Sequence, residues 1–134
     1  MAAVRGKDTK PELAVRRLVH RLGYRYRLHR SELPGKPDLA FIGRRKAIFV
    51  HGCFWHGHDC GRGARVPKTN TDYWLGKIAR NVARDERVRG ELVALGWRSM
   101  IVWECELRDL TSVQKRIVGF LDDDEGEDTA RNDQ

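Results

Sequence analysis

Residues 50–60 read Val-His-Gly-Cys-Phe-Trp-His-Gly-His-Asp-Cys and hold three of the chain's five histidines and two of its three cysteines. Thiolates and imidazoles together ligate tetrahedral zinc, and an imidazole near a carboxylate can move protons. Cys53, His58 and Cys60 form a Cys-x4-His-x-Cys pattern, and Cys105 stands at the end of a later apolar stretch that can return to the same edge. These four make a closed Cys3His set suited to one structural zinc. Spacing alone does not force His58 over His51 or His56, and three buried free thiols are the bland alternative.

Asp38 follows Pro37 at a loop-to-strand junction, twelve residues before Val50. A hairpin of that length brings the two ends together. The Asp38 carboxylate and the Val50 carbonyl can then offer oxygens to a hard cation such as Mg²⁺. Taken alone, Asp38 also reads as a turn residue after Pro-Gly-Lys-Pro. Of His51 and His56, one can act as general base toward water and the other can orient water or the metal; each can also be an ordinary hydrogen-bonded histidine. Asp85 can orient a histidine or pair with Arg89 one turn on. Phe54 and Trp55 are adjacent aromatics in a polar loop, poorly placed for a core. With Trp74 they can wedge between base steps, although Trp74 fits a helix core as well. Arg62, Arg65, Lys68, Lys77, Arg80 and Arg84 can contact phosphates, as can any solvated basic helix face.

These groups need a scaffold, and 134 residues supply one domain rather than two. Thr9-Lys-Pro-Glu12 is a helix start, with Thr9 as cap, Pro11 in the first turn and Glu12 completing a capping box. Leu13, Val15, Leu18, Val19 and Leu22 continue it to Gly23. Tyr24–Leu28 alternates like a strand. Asp38–Ile42 and Ala47–Val50 are apolar strands that pair across Gly43–Lys46. Residues 72–95 read as a long helix with Trp74, Ile78, Val82, Val88, Leu92 and Leu95 inward. Arg98–Trp103 is a strand, and Thr111–Leu121 a closing amphipathic helix. The order predicts an α/β fold, a mixed central sheet flanked by helices, spanning residues 1–121.

The net charge of +7 is unevenly placed. Residues 122–134 carry −6 and form an acidic tail expected to be disordered; the other 121 residues carry +13, which suits a polyanion such as DNA or RNA. An odd cysteine count argues against a disulfide framework. No apolar stretch is long enough to span a bilayer and no signal-peptide pattern opens the chain, so the cytosol is the expected compartment.

Together the residues resemble the very short patch repair endonucleases. The matching stretches are Thr9-Lys-Pro-Glu12, Leu33-Pro-Gly-Lys-Pro-Asp38, Ile48-Phe-Val-His-Gly-Cys-Phe-Trp-His56, Arg65-Val-Pro-Lys68, Tyr73-Trp-Leu-Gly-Lys-Ile78, Arg80-Asn-Val-Ala-Arg-Asp85, Leu95-Gly-Trp97 and Val102-Trp-Glu-Cys-Glu-Leu107, over nearly all of residues 5–110. The resemblance implies a restriction-endonuclease-like fold and Mg²⁺-dependent nicking of double-stranded DNA, 5′ of the thymine in a T:G mismatch left by deamination of 5-methylcytosine. It implies that Asp38 and the residue 50 carbonyl bind Mg²⁺, that Glu12 and His51 support it through water, and that His56 is the base with Asp85 behind it. Cys53, His58, Cys60 and Cys105 match its structural zinc ligands, and Phe54, Trp55 and Trp74 its wedge. A bacterial, nucleoid-associated monomer that meets mismatch-repair proteins is implied too. Val50 departs from the threonine of the best-known pattern, a change that a backbone carbonyl survives. The chain also begins almost at the first motif, so the N-terminal DNA-gripping arm of longer relatives is expected to be short or missing. A nuclease acting on unmismatched or modified DNA, and a zinc-stabilised binding module without catalysis, are the alternatives.

Overall fold

The computed structural model describes residues 9–54, 56–58, 60 and 68–123. Helix α1 (Lys10–Arg21) starts where the Thr9 hydroxyl accepts the Glu12 N–H at 3.4 Å, with Pro11 in the first turn. Its buried stripe is Val15, Leu18 and Val19. Strand β1 is shorter than the expected Tyr24–Leu28: only Arg27–Leu28 pair with the sheet. Tyr24 and Tyr26 instead pack against the core, and their hydroxyls reach the Asp122 carboxylate (2.8 Å) and the Arg16 carbonyl (3.4 Å).

Strands β2 (Leu39–Phe41) and β3 (Lys46–His51) form the expected hairpin, with Leu39 opposite Ile48 and Phe41 opposite Lys46. A 3-10 turn at Ile42–Arg44 and a left-handed Arg45 (φ +55°) close it. Helix α2 (Thr71–Ala94) comes between β3 and β4 (Arg98–Trp103) in chain order, and β4 pairs parallel with β3 in a register that sets Val50 beside Val102 and His51 beside Trp103. A second 3-10 turn, Glu104–Arg108, leads to α3 (Leu110–Asp122). The sheet is mixed, in the order β1-β2-β3-β4.

Strand residues alternate between faces. Leu39, Phe41, Ile48 and Val102 meet Val15, Leu18 and Val19 of α1 and Val113, Ile117 and Leu121 of α3 in the main core. On the other side α2 brings Val88 down over Phe49 and Gly35. A Cβ at Gly35 (φ +74°) would lie 2.5 Å from Val88 Cγ1, so the loop before Asp38 can pass under α2 only as glycine. Val82 and Leu95 are not inward as expected; they are 41% and 55% exposed. The inner stripe runs Trp74, Ile78, Asn81, Asp85, Val88, Leu92, so a polar pair takes the middle of the helix and Val82 sits at its flank, against Gly57.

The acidic tail expected from residue 122 begins with two residues that the fold holds. Asp122 closes α3 and accepts from Tyr24, while Asp123 pairs with Arg98 at 3.2 Å. Lys46 Nζ, on a nearly fully buried side chain, donates to the carbonyls of Phe120 (2.6 Å), Leu121 (3.2 Å) and Asp123 (2.5 Å) and so ties down the end of α3. Residues 124–134 lie outside the described residues.

Candidate active site and metal centre

The hairpin register sets Asp38 against the end of β3, where its Oδ2 accepts the Val50 N–H at 2.6 Å. The first turn of α1 delivers Glu12, only 2% exposed, to the same place. One oxygen each from Glu12 and Asp38 and a nitrogen of His29 lie within 4.8 Å of one another. Burial pushes the Asp38 carboxyl up to about 7; the Val50 N–H opposes the shift, the Glu12 charge adds to it, and the Arg16 charge opposes it. A carboxylate that is costly to ionise alone gains from a cation beside it. This oxygen-rich corner fits a hard divalent ion.

One residue on, the side chain turns to the opposite face. His51 is 6% exposed and stacks on His56, with ring centroids 3.7 Å apart and planes 5° from parallel. His56 Nδ1 donates to Asp85 Oδ2 at 2.6 Å, while His51 Nδ1 lies 3.9 Å from that oxygen and has no hydrogen-bond partner among the described residues. Burial pushes His51 down to about 3, and the His56 ring and the Arg84 charge add to this, so its imidazole is neutral. Arg89 pairs with Glu86 (2.9 Å), which leaves Asp85 to the histidines. The donor atoms of His51, His56 and Asp85 lie within 4.8 Å of one another. Two parallel stacked rings, however, cannot both aim in-plane lone pairs at one ion. With Nδ1–H committed to Asp85, a neutral His56 keeps Nε2 as a proton acceptor.

The loop after His51 gathers the thiols. Donor atoms of Cys53, His58, Cys60 and Cys105 lie within 4.8 Å of one another. Cys105 Sγ and His58 Nδ1 are 3.6 Å apart, against roughly 3.5 Å for two corners of a zinc tetrahedron with bonds of about 2.3 and 2.0 Å. Burial pushes the Cys53 thiol up to about 12, a penalty that a bound metal removes by taking the thiolate. The donor set and its spacing therefore fit zinc. The loop is tied by His58 N–H to the Cys53 carbonyl (3.0 Å) and by Cys53 N–H to Glu104 Oε1 (3.4 Å). Gly57 (φ +65°) lies so close to α2 that a Cβ would be 3.0 Å from Ile78 Cγ2. Of the three histidines that spacing left open, His58 lies with the cysteines, while His51 and His56 lie with Asp85.

Phe54 and Trp74 meet edge-to-face at 5.8 Å, and Trp74 contacts Tyr73 at 4.9 Å. Trp74 is half-buried, so its core and wedge readings meet in one partly open ring. Lys68 and Arg80 are exposed and Lys77 half-buried near the start of α2. Trp55, Arg62 and Arg65 lie outside the described residues.

The family model for "DNA mismatch endonuclease Vsr" matches residues 1–62. The chain is 54% identical over 122 residues to the type II nicking enzyme V.XorIIP of Xanthomonas oryzae pv. oryzae, covering 91% of this chain and 89% of that protein. It is 41% identical over 117 residues to the type II nicking enzyme V.NmeAIP of Neisseria meningitidis, covering 87% and 83%. It is 45% identical over 108 residues to the DNA mismatch endonuclease Vsr of Escherichia coli, covering 81% and 69%. The chain belongs to the Vsr family of DNA mismatch endonucleases. It is an endonuclease that acts on DNA, and the mixed sheet with its flanking helices is the frame on which the family implies a restriction-endonuclease-like fold. A binding module without catalysis is thereby set aside.

Three residues of this Vsr-family site escaped the sequence reading. His29 Nε2 lies 2.8 Å from Glu12 Oε2, far in sequence from the His-rich segment. Arg16 reaches the same oxygen at 2.6 Å, and its i,i+4 spacing from Glu12 was a usable signal. Trp103 forms a wall between the two histidine groups: His58 stacks on it at 4.1 Å and His51 meets its edge at 5.2 Å. The sequence offered one local signal, Cys105 two residues on; the contact with His51 comes from the pairing of β4 with β3.

Proposed function

We propose that this Vsr-family enzyme nicks double-stranded DNA on the 5′ side of the thymine in T:G mismatches that arise from deamination of 5-methylcytosine. The observation that carries the reading is the meeting of two chemistries at the end of β3. Asp38 grips the Val50 N–H at 2.6 Å, and His51, the next residue, stacks on a His56 that Asp85 holds at 2.6 Å. A Mg²⁺ ion on Asp38 and the Val50 carbonyl, supported through water by Glu12 and His51, would neutralise charge on the scissile phosphate. His56 Nε2 accepts the proton of the attacking water, and Asp85 stabilises the imidazolium that forms. Neutral His51 holds the His56 ring in place by stacking. Zinc on Cys53, His58, Cys60 and Cys105 would pin the loop that carries His56 and Phe54.

Phe54, Trp55 and Trp74 press against the mismatch, whose weak stacking lowers the cost of opening it and so contributes selectivity. Arg65, Lys68, Lys77 and Arg80 contact phosphates. Two relatives are named nicking enzymes, which supports cleavage of one strand. In this reading the enzyme works on the nucleoid in the cytoplasm, as a monomer that hands the nick to mismatch-repair proteins. No helix among the described residues is long and apolar enough to cross a membrane. The test is cleavage of matched, T:G and modified duplexes of one sequence with Mg²⁺. Selective nicking 5′ of the mismatched thymine is expected; equal cleavage of matched and T:G duplexes would sink the repair reading in favour of a nuclease for unmismatched sites.

A further inference from the structure

Glu12 is a buried carboxylate beside another carboxylate, an arrangement that needs compensation. A buried charge persists only when paired and hydrogen-bonded. Arg16, one turn along α1, donates to Glu12 Oε2 at 2.6 Å. His29, just past β1, brings Nε2 to the same oxygen at 2.8 Å. Arg16 NH2 is 3.2 Å from that nitrogen. A carboxylate only accepts and a guanidinium only donates, so the Nε2 hydrogen goes to Glu12; Arg16 and His29 both donate to the one Glu12 oxygen, and their 3.2 Å approach to each other is a contact rather than a third hydrogen bond. With Asp38 ionised, as a bound cation favours, Glu12 and Asp38 bring two negative charges to the corner, and Arg16 returns one. The corner therefore stays attractive to a divalent ion without two uncompensated carboxylates side by side.

A second observation points the same way. His29 holds a left-handed backbone (φ +45°), uncommon for a side-chain-bearing residue and costly unless the surroundings require it. β1 pairs with the sheet over only two residues, so sheet geometry does not demand that turn. The conformation delivers the ring to Glu12, and through Glu12 to the place where Asp38 waits within 4.8 Å.

We propose that Arg16 and His29 are positioning residues that hold Glu12 beside Asp38 for the divalent cation. The proposal rests on the reading of Asp38 as the cation site. Groups that orient the supports of a metal typically change its affinity about 10–100-fold when removed. The test is Mn²⁺ binding to the zinc-loaded, DNA-free protein, followed by electron paramagnetic resonance. Asp38→Ala is expected to abolish the bound signal. His29→Leu fills the space without a donor and is expected to weaken Mn²⁺ by about 10-fold or more. His29→Gln restores a donor and is expected to bind close to wild type, and Arg16→Gln to weaken binding as His29→Leu does. Melting temperatures of the two His29 variants are expected to agree. If Asp38→Ala binds Mn²⁺ like wild type, the cation reading itself fails. If Asp38→Ala abolishes binding while His29→Leu and Arg16→Gln bind like wild type, the cation site stands and the positioning role falls. If His29→Leu and His29→Gln lose affinity and melting temperature alike, His29 is a structural tie only and the proposal is overturned.

Discussion

Asp38→Asn is expected to abolish Mg²⁺-dependent cleavage and at the same time to stabilise the cation-free protein. Burial raises the Asp38 carboxyl from 3.8 in the unfolded chain to about 7 in the fold. Below pH 4 both states carry the proton and the shift has no consequence. Between pH 4 and 7 the unfolded chain releases the proton and the folded chain does not, so the wild type loses stability as pH rises; above 7 the loss is constant. At about 1.4 kcal/mol per pH unit, the loss is about 2 kcal/mol at pH 5 and has a ceiling of about 4 kcal/mol at pH 8. Partial solvent access at Asp38 lowers both figures. An asparagine avoids the penalty, and its amide oxygen can still accept the Val50 N–H. The assay is urea denaturation of wild type and variant at pH 5 and pH 8, in Mg²⁺-free buffer without chelator so that zinc stays bound. The variant should be the more stable at both pH values, with the margin wider by about 2 kcal/mol at pH 8. A margin that does not change with pH, or a variant less stable than wild type at pH 8, would refute the reasoning. Saturating Mg²⁺ should narrow the margin, because the ion favours the ionised wild-type carboxylate.

Three other outcomes are expected. His56→Ala should lower single-turnover nicking of a T:G duplex by about 10²–10⁴-fold with little change in melting temperature, and Asp85→Asn should lower it less; activity in His56→Ala equal to wild type would remove His56 as the base. Cys105→Ala, or strong chelation, should release about one zinc equivalent and lower the melting temperature, measured by metal analysis and circular dichroism; unchanged thermal stability in the metal-free protein would contradict a structural zinc. Lys46→Met removes three bonds from a charged donor to the end of α3 and should cost about 2–4 kcal/mol in urea denaturation, without loss of the single-turnover cleavage rate.

Much of the frame was legible because it is local. Thr9, Pro11 and Gly23 bracket α1 through capping and backbone preference, and the apolar runs on either side of Gly43–Lys46 can only form a hairpin of that length. Local too is the crowding of His51, Cys53, His56, His58 and Cys60 into one segment. The length of β1 was less legible. The alternation of Tyr24–Leu28 fits a strand, yet Tyr24 and Tyr26 find their hydroxyl partners on α3 and α1, which no period within five residues can reveal. Val82 went astray for a related reason: apolar spacing along α2 cannot announce that Asn81 and Asp85 hold the inner positions.

The sequence by itself determined the chemistry available: a carboxylate at the hairpin entrance, histidines and thiols in one loop, and a basic body for a polyanion. Tertiary structure alone decided how that inventory is divided. The hairpin sets Asp38 on the Val50 N–H, one residue before His51, α2 brings Asp85 to His56 and not His58, and β4 returns Cys105 to the loop. It also brought His29 and Arg16 onto Glu12. The partner of a buried charge is set by which elements dock against each other, and that docking is driven by burial of apolar faces that carry no record of the polar residues they bring together.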